Sequence, residues 1–332
     1  MNSLLKKNFV DCVGNTPLIK LKLASELSNC EIYGKCEFLN PGGSIKDRPA
    51  VQIIKDAFKE KKITKGATIV EGTAGNTGIG LCLAGNALGM KSVIVMPRTQ
   101  SDEKKTMLRL CGADLRLVDA LPYKNPGNYI RFSETLANSL NNPNGVLWAN
   151  QFDNLSNKKS HYLTTGPEIY SQLDGKIDAF ICSIGTGGTI SGVSNSLKEK
   201  NKKIIIGLAD PMGSAMYNYY KNGELKSKGS SITEGIGQGR ITKNLENVEI
   251  DEYFQISDKE ALQLVFEMIK EEGLILGGSS GINIMGAIKL GKQIGPNKKI
   301  VTILCDYGTK YQSKIFNKVF LKKNKLPIPA WL

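Results

Sequence analysis

Ala179-Phe180-Ile181-Cys182-Ser183-Ile184-Gly185-Thr186-Gly187-Gly188-Thr189 is the stretch that decides how this chain folds. Ala179 to Cys182 is a short apolar run of the kind that forms a buried strand. Glycines and threonines follow, and Ile190, Val193 and Leu197 then recur at helical spacing. Strand, glycine turn and helix in succession make the unit of a parallel sheet covered by helices. Glycines let a backbone approach a ligand closely, and a helix N-terminus offers free N–H groups to an anion. Thr186 and Thr189 add hydroxyls. By itself the turn suits either a phosphate cradle or an ordinary tight connection.

The same alternation continues on both sides. Ile69-Val70-Glu71 enters Thr73-Ala74-Gly75-Asn76-Thr77-Gly78, and a small-residue helix follows from Ile79 to Leu88. Ser92 to Met96 forms a second strand-like run, ending at Pro97. Ser101 is placed to cap a helix from Glu103 to Leu110, closed by Gly112. Asp114 to Val118, Lys203 to Leu208 and Lys299 to Leu304 are further strand candidates. Asp119 to Pro122, Asn125 to Asn128 and Asn141 to Gly145 have loop composition. There is no repeat, low-complexity tract or long linker. The pattern predicts an α/β protein of two subdomains, with ligands beyond the strand C-termini in the cleft between them.

Composition narrows the function. Of 332 residues, 41% are hydrophobic and 23% charged, as in soluble globular proteins with a real core. No apolar run is long enough for a bilayer. Met1 to Lys7 lacks the apolar stretch of a secretory signal, so a cytoplasmic location is expected. Seven cysteines are scattered without a CxxC pair, most in apolar surroundings that read as reduced core thiols, and zinc ligand spacing is absent. The formal net charge of +13 is dispersed. It reads as a lysine-rich surface attractive to small anions, with no nucleic-acid motif. Lys322-Lys323-Asn324-Lys325 reads as a solvated end. His161 is the only histidine, which makes multi-histidine metal sites and triad chemistry poor options. It is read as structural or surface, and acid–base work falls to a perturbed lysine.

Lys46 is that lysine. It stands in Asn40-Pro41-Gly42-Gly43-Ser44-Ile45-Lys46-Asp47-Arg48, where a loop of small residues gives way to a helix. An amine and a separate phosphate cradle together point to a carbonyl cofactor with a phosphate handle, pyridoxal 5′-phosphate. The Thr73–Gly78 turn is a second anion cradle and suits an amino-acid carboxylate. Its Asn76 either reaches a polar atom of the cofactor ring or satisfies turn geometry. Gly277-Gly278-Ser279-Ser280-Gly281 precedes another helix, and a serine there either meets a ring nitrogen or caps the helix.

Taken in order, these blocks resemble the fold-type II pyridoxal-phosphate enzymes, and within them the cysteine synthase (O-acetylserine sulfhydrylase) and cystathionine β-synthase family. The resemblance covers nearly the whole chain. It starts at Val13-Gly14-Asn15-Thr16-Pro17-Leu18, includes Glu234-Gly235-Ile236-Gly237, and reaches Gly277–Gly281. It implies two three-layer α/β/α subdomains with mainly parallel sheets, like the tryptophan synthase β subunit, and the cofactor in the cleft between them. Residues 42–154 would form the smaller subdomain, and 1–41 with 155–332 the larger.

The resemblance also implies roles. Lys46 matches the Schiff-base lysine. Gly185, Thr186, Gly187, Gly188 and Thr189 match the cofactor phosphate loop. Asn76 matches the contact to the ring hydroxyl, and Ser279, in preference to Ser280, the partner of the pyridine nitrogen. Thr73, Ala74, Gly75, Asn76 and Thr77 match the loop that closes on the substrate carboxylate, and Gln151 a further carboxylate contact. The implied reaction is β-replacement, O-acetyl-L-serine plus sulfide giving L-cysteine and acetate through an aminoacrylate. A compact cystathionine β-synthase and a serine or threonine dehydratase are the alternatives. No metal is implied. A homodimer is, and so is a partner, the C-terminal tail of serine acetyltransferase. Two positions depart from the pattern. Ala74 replaces a common serine, removing one side-chain donor, and Pro49 stands where a branched apolar residue is usual. Proline is tolerated in a first helical turn.

Overall fold

Short β-branched and apolar runs become ten strands among the described residues, which are 5–332 of a computed structural model. Met1 to Leu4, the start of the amino-terminal stretch discussed above, lie outside them. The strands are β1 (Leu18–Lys20), β2 (Glu31–Cys36), β3 (Thr68–Gly72), β4 (Lys91–Pro97), β5 (Asp114–Val118), β6 (Val146–Trp148), β7 (Ala179–Cys182), β8 (Ile205–Pro211), β9 (Glu252–Ile256) and β10 (Lys299–Leu304).

They form two sheets. One is four-stranded in the order β5-β4-β3-β6, parallel throughout. The other is six-stranded in the order β1-β2-β10-β7-β8-β9, parallel except for the β1–β2 pair. Side chains of a strand alternate between faces, and both faces of the larger sheet are apolar. Ala179 and Ile181 face a core built on the helices Lys22–Ser28, Asp258–Glu272 and Gly278–Ile294. Phe180 and Cys182 face another, built on Gly188–Lys200 with Ile190, Val193 and Leu197. The smaller sheet repeats the arrangement. Ile69 faces the helices Asp47–Lys59 and Asn76–Ala87, while Val70 and Val93 face Tyr129–Ser139. Each sheet is therefore the middle of three layers, and the fold is the α/β class expected.

Two local expectations need correction. Ser101 does precede the helix Asp102–Leu110, but its side chain makes no capping bond. Its hydroxyl donates instead to the Lys310 carbonyl at 2.8 Å, a tertiary contact that outcompetes the local one. The expected strand at Lys203 starts later, at Ile205. The Asn201 side chain accepts from the Lys203 N–H, making a turn, and pairing with β7 begins at Ile205. Pro49 sits in the first turn of its helix, as expected, where a missing N–H leaves no bond unmade.

Candidate active site

Lys46 is the residue at which the loop Asn40–Ile45 turns into the helix Asp47–Lys59. The loop is held against the end of β10, where Ile45 N–H donates to the Cys305 carbonyl at 3.0 Å. The helix start is held by charge. Buried Arg48 forks onto Glu37 at 2.8 Å and onto Glu168 at 2.7 Å, and Lys35 also meets Glu168 at 2.7 Å. Between these braces the Lys46 amine faces a cavity of about 490 Å³ and makes no hydrogen bond or ion pair with any described residue. Burial lowers its pKa from the usual lysine value, and the neighbouring Cys305, Cys182 and Asp306 offset only part of that.

On one side stands the glycine turn after β7. Gly185 and Thr186 line the main cavity, and Gly187 and Thr189 line a small recess that adjoins it beneath Lys46. Gly188 lines neither. It is the first residue of the helix Gly188–Lys200 and lies against Asn157, so closely that a Cβ there would sit 2.0 Å from Asn157 Oδ1. Asn157 Nδ2 donates to Thr186 Oγ1 and to the Gln151 carbonyl, each at 2.8 Å. Thr242 Oγ1 donates to the Thr186 carbonyl at 2.8 Å. His161 is fully buried, which removes the surface alternative. Its Nδ1 lies 2.9 Å from Thr165 Oγ1 and its Nε2 3.3 Å from Thr189 Oγ1. Burial holds its pKa well below 6.5, with Lys46 and Arg48 adding to the effect, so the ring is neutral.

On the other side stands the turn after β3. Thr73, Ala74, Gly75, Asn76 and Thr77 all line the main cavity, as does Gln151. Gly75 has φ +133°, a conformation that side chains disfavour, and it opens the helix Asn76–Ala87. Thr73 Oγ1 accepts from the Gly75 N–H, and Thr77 Oγ1 donates to Gln151 Oε1 at 2.5 Å. The residues of this helix start line the same cavity as the amine, and a helix start carries N–H groups without intrahelical partners. Ser279 lines the cavity, whereas Ser280 is buried behind it and accepts from the Cys305 N–H at 2.9 Å.

The cavity mouth is charged. Lys104 pairs with Glu234 at 2.7 Å, and Lys314 takes the other oxygen of the same carboxylate. Lys104 also lies 4.3 Å over the Tyr311 ring.

These residues fit pyridoxal phosphate. The amine has no protein partner, a glycine and threonine turn opens a thirteen-residue helix beside it, and a second helix start faces both. Lys46 would hold the carbonyl end, the Gly185–Thr189 turn the phosphate, and Ser279 and Asn76 the ring. Among the described residues no cluster of metal-ligating side chains accompanies them.

Sequence reasoning missed much of the support. Asn157 and Thr242 lie far along the chain from the turn they brace, in segments without a motif. Asp306, Lys310 and Tyr311 had a usable signal, since they directly follow β10, at the strand end where α/β ligands gather. Cys305 was grouped with the core cysteines but lines the cavity, and burial raises its thiol to about 11.

Comparisons with known proteins identify the family. The family model described as pyridoxal-phosphate dependent enzyme matches residues 10–306. A protein named cysteine synthase 1 from Neurospora crassa is 45% identical over 327 residues, covering 97% of this chain and 86% of that protein. A cysteine synthase 1 from Emericella nidulans is 45% identical, covering 95% of this chain and 86% of that one. The solved structure of an O-acetylserine dependent cystathionine β-synthase from Helicobacter pylori matches with TM-score 0.84 and 34% identity. It covers 94% of this chain and 98% of the other.

Proposed function

Because the chain belongs to the pyridoxal-phosphate dependent enzymes, we propose that it works as a cysteine synthase, turning O-acetyl-L-serine and sulfide into L-cysteine and acetate. The observation that carries the proposal is the convergence of two candidate anion cradles, one from each sheet, on the cavity-lining amine of Lys46, which has no partner among the described residues. The cysteine synthases reported above, at 45% identity over nearly the whole chain, support the same reading.

When bound, pyridoxal phosphate supplies a carbonyl for amines and an electron sink for the charge left at a deprotonated carbon. The chain supplies the rest. The Gly185–Thr189 turn and its helix start hold a dianion by N–H groups and hydroxyls. Ser279 offers the pyridine nitrogen a neutral hydroxyl, which does not force that nitrogen to be charged as a carboxylate would. This favours elimination at Cβ over transamination. The N–H groups of Thr73 to Thr77, with Thr77 and Gln151, hold the substrate carboxylate and set the Cα–H bond towards Lys46. The Lys46 Nζ takes the proton from Cα, a task that its lowered pKa suits. In the net reaction the Cβ–O bond breaks and acetate leaves with its electron pair. A Cβ–S bond forms with sulfide, and the proton returns to Cα.

The same reading includes a homodimer, a cytoplasmic location, and division of the chain near residues 42 and 154. Seven free cysteines, five of them buried, suit a reducing compartment. A peptide ending in a carboxylate, such as the tail of serine acetyltransferase, would compete for the carboxylate loop, and native mass spectrometry tests that pairing. The second reading is cystathionine formation with homocysteine, favoured by the name of the Helicobacter pylori relative.

Product analysis separates the options. Cysteine from O-acetylserine and sulfide is the expected outcome. Dominant cystathionine with homocysteine would select the second reading, and pyruvate alone a dehydratase. Borohydride reduction and peptide mapping should find the cofactor on Lys46, and a label elsewhere overturns the assignment.

A further inference from the structure

Lys310 lies in the 3-10 turn Gly308–Tyr311, just beyond β10, and its ammonium reaches into the space between the two sheets. Its Nζ donates to the Gly42 carbonyl at 3.0 Å, the Gly43 carbonyl at 3.1 Å and Asn76 Oδ1 at 3.0 Å. An ammonium has three N–H bonds, and each has one of these acceptors. Two acceptors belong to the loop that carries Lys46, and the third to the first residue of the helix after β3. The other end of the Asn76 amide is gripped as well. Asn76 Nδ2 donates to Asp306 Oδ2 at 2.6 Å, and the Tyr311 hydroxyl donates to the same oxygen at 2.7 Å.

A lysine cannot accept a hydrogen bond and an ionised carboxylate cannot donate one. The cation and the anion therefore dictate which end of the Asn76 amide points where. Oδ1 must face Lys310 and Nδ2 must face Asp306. One Nδ2 hydrogen remains for a ligand in the cavity that Asn76 lines. We propose that Lys310, with Asp306, is a positioning residue for the cofactor. It fixes the polarity of the Asn76 amide, so that a donor and not an acceptor meets the ring oxygen, and it locks that amide to the Lys46 loop. The inference rests on the proposed roles of Lys46 and Asn76. The backbone of Lys310 is itself anchored, by Ser101 Oγ on its carbonyl at 2.8 Å.

The test uses the holoenzyme and three variants, Lys310→Met, Lys310→Arg and Lys310→Met with Asn76→Ala, beside Asn76→Ala alone. Borohydride mapping of the wild type first establishes whether the cofactor sits on Lys46. The visible absorbance band of the bound cofactor, its pH midpoint and kcat are then compared at equal cofactor content. Lys310→Met should move the band or its midpoint and lower kcat about 10- to 100-fold, the range for groups that orient a ligand from behind. Lys310→Arg should restore most of both. In the Asn76→Ala background, Lys310→Met should add no more than about twofold, because coupled residues are not additive. A structural staple would instead leave the band in place or add its effect in full, and either result overturns the inference. Should Lys310→Met give no folded protein, Lys310→Gln is judged by the same criteria. An unlabelled Lys46 in the wild type sinks the underlying assignment and the inference with it. A labelled Lys46 with a silent Lys310→Met sinks the inference alone.

Discussion

The two glycine turns at the cavity have the same local recipe and different support. The Gly185–Thr189 turn is braced by neutral, buried groups, namely Asn157, Thr242 and the uncharged His161. The Thr73–Thr77 turn leans on charge. Lys310 and Asp306 hold Asn76, and the Lys104–Glu234–Lys314 cluster stands at the mouth beside Gly75. A neutral hydrogen-bonded brace in a dry setting is stiff and insensitive to salt. Ion pairs fail instead when either charge is removed, although Lys104 and Glu234 are buried enough to be screened little by salt. The contrast suits the proposed roles, permanent holding of a cofactor at the first turn and repeated binding and release of a substrate at the second.

Gly188→Ala should test the stiff side hardest. The added Cβ would lie 2.0 Å from Asn157 Oδ1, so the brace itself must move. Overpacking of about 1–3 kcal/mol corresponds to roughly 5- to 150-fold weaker cofactor binding by titration. KM for the amino acid, at saturating cofactor, should change by less than about threefold. Equal damage to both would erase the distinction between the turns.

Glu234→Gln acts on the charged side. It leaves Lys104 and Lys314 without their shared anion. KM for the amino acid should rise about tenfold with little dependence on salt, since the two like charges left behind repel in a buried setting. Cofactor retention on dialysis should match the wild type, and a loss there would count against the contrast.

Thr77→Val removes the 2.5 Å bond to Gln151. One hydrogen bond is worth about 1 kcal/mol, so KM should rise roughly fivefold with kcat little changed. A fall in kcat with constant KM would move Thr77 from ground-state binding to the chemical step. Ala74→Ser restores the hydroxyl common in the family. About twofold lower KM is expected, the small end of a hydrogen-bond contribution, because the backbone N–H groups of the loop remain. An effect above tenfold would show that the loop depends on that side chain.

The fold was legible where pattern and burial coincide. Ile69 to Glu71, Ser92 to Met96 and Ala179 to Cys182 are apolar, short and bounded by turns, and each is a strand in a covered parallel sheet. Local competition defeated the pattern at Lys203, where an asparagine side chain closes a turn, and at Ser101, where a distant carbonyl claims the hydroxyl. The three-residue strands β1 and β6 are too short to carry periodicity, and β2 is broken as an apolar run by Gly34 and Lys35. The helix Tyr129–Ser139 was passed over because its asparagine- and glycine-rich approach has loop composition, although Asn128 caps it. For the site, Lys46, the glycine turns and Ser279 were visible because their residue types announce their chemistry. Asn157 and Thr242 were not, since they are ordinary residues until they are seen in place, and for Lys310 and Asp306 the position after β10 gave the only signal.

By itself the sequence determined that strands and helices alternate, that the candidate acid–base group is a lysine, and that glycine turns join strands to helices. These follow from periodicity and from the short-range stereochemistry of glycine, which a linear chain expresses directly. Tertiary structure alone decided that the Lys46 amine stands unpaired, that Ser279 and not Ser280 faces the cavity, and that Lys310 reaches back across 234 positions to Asn76. Hydrogen bonds and desolvation act over a few ångströms of space, and separation along the chain says nothing about that distance until both sheets have packed.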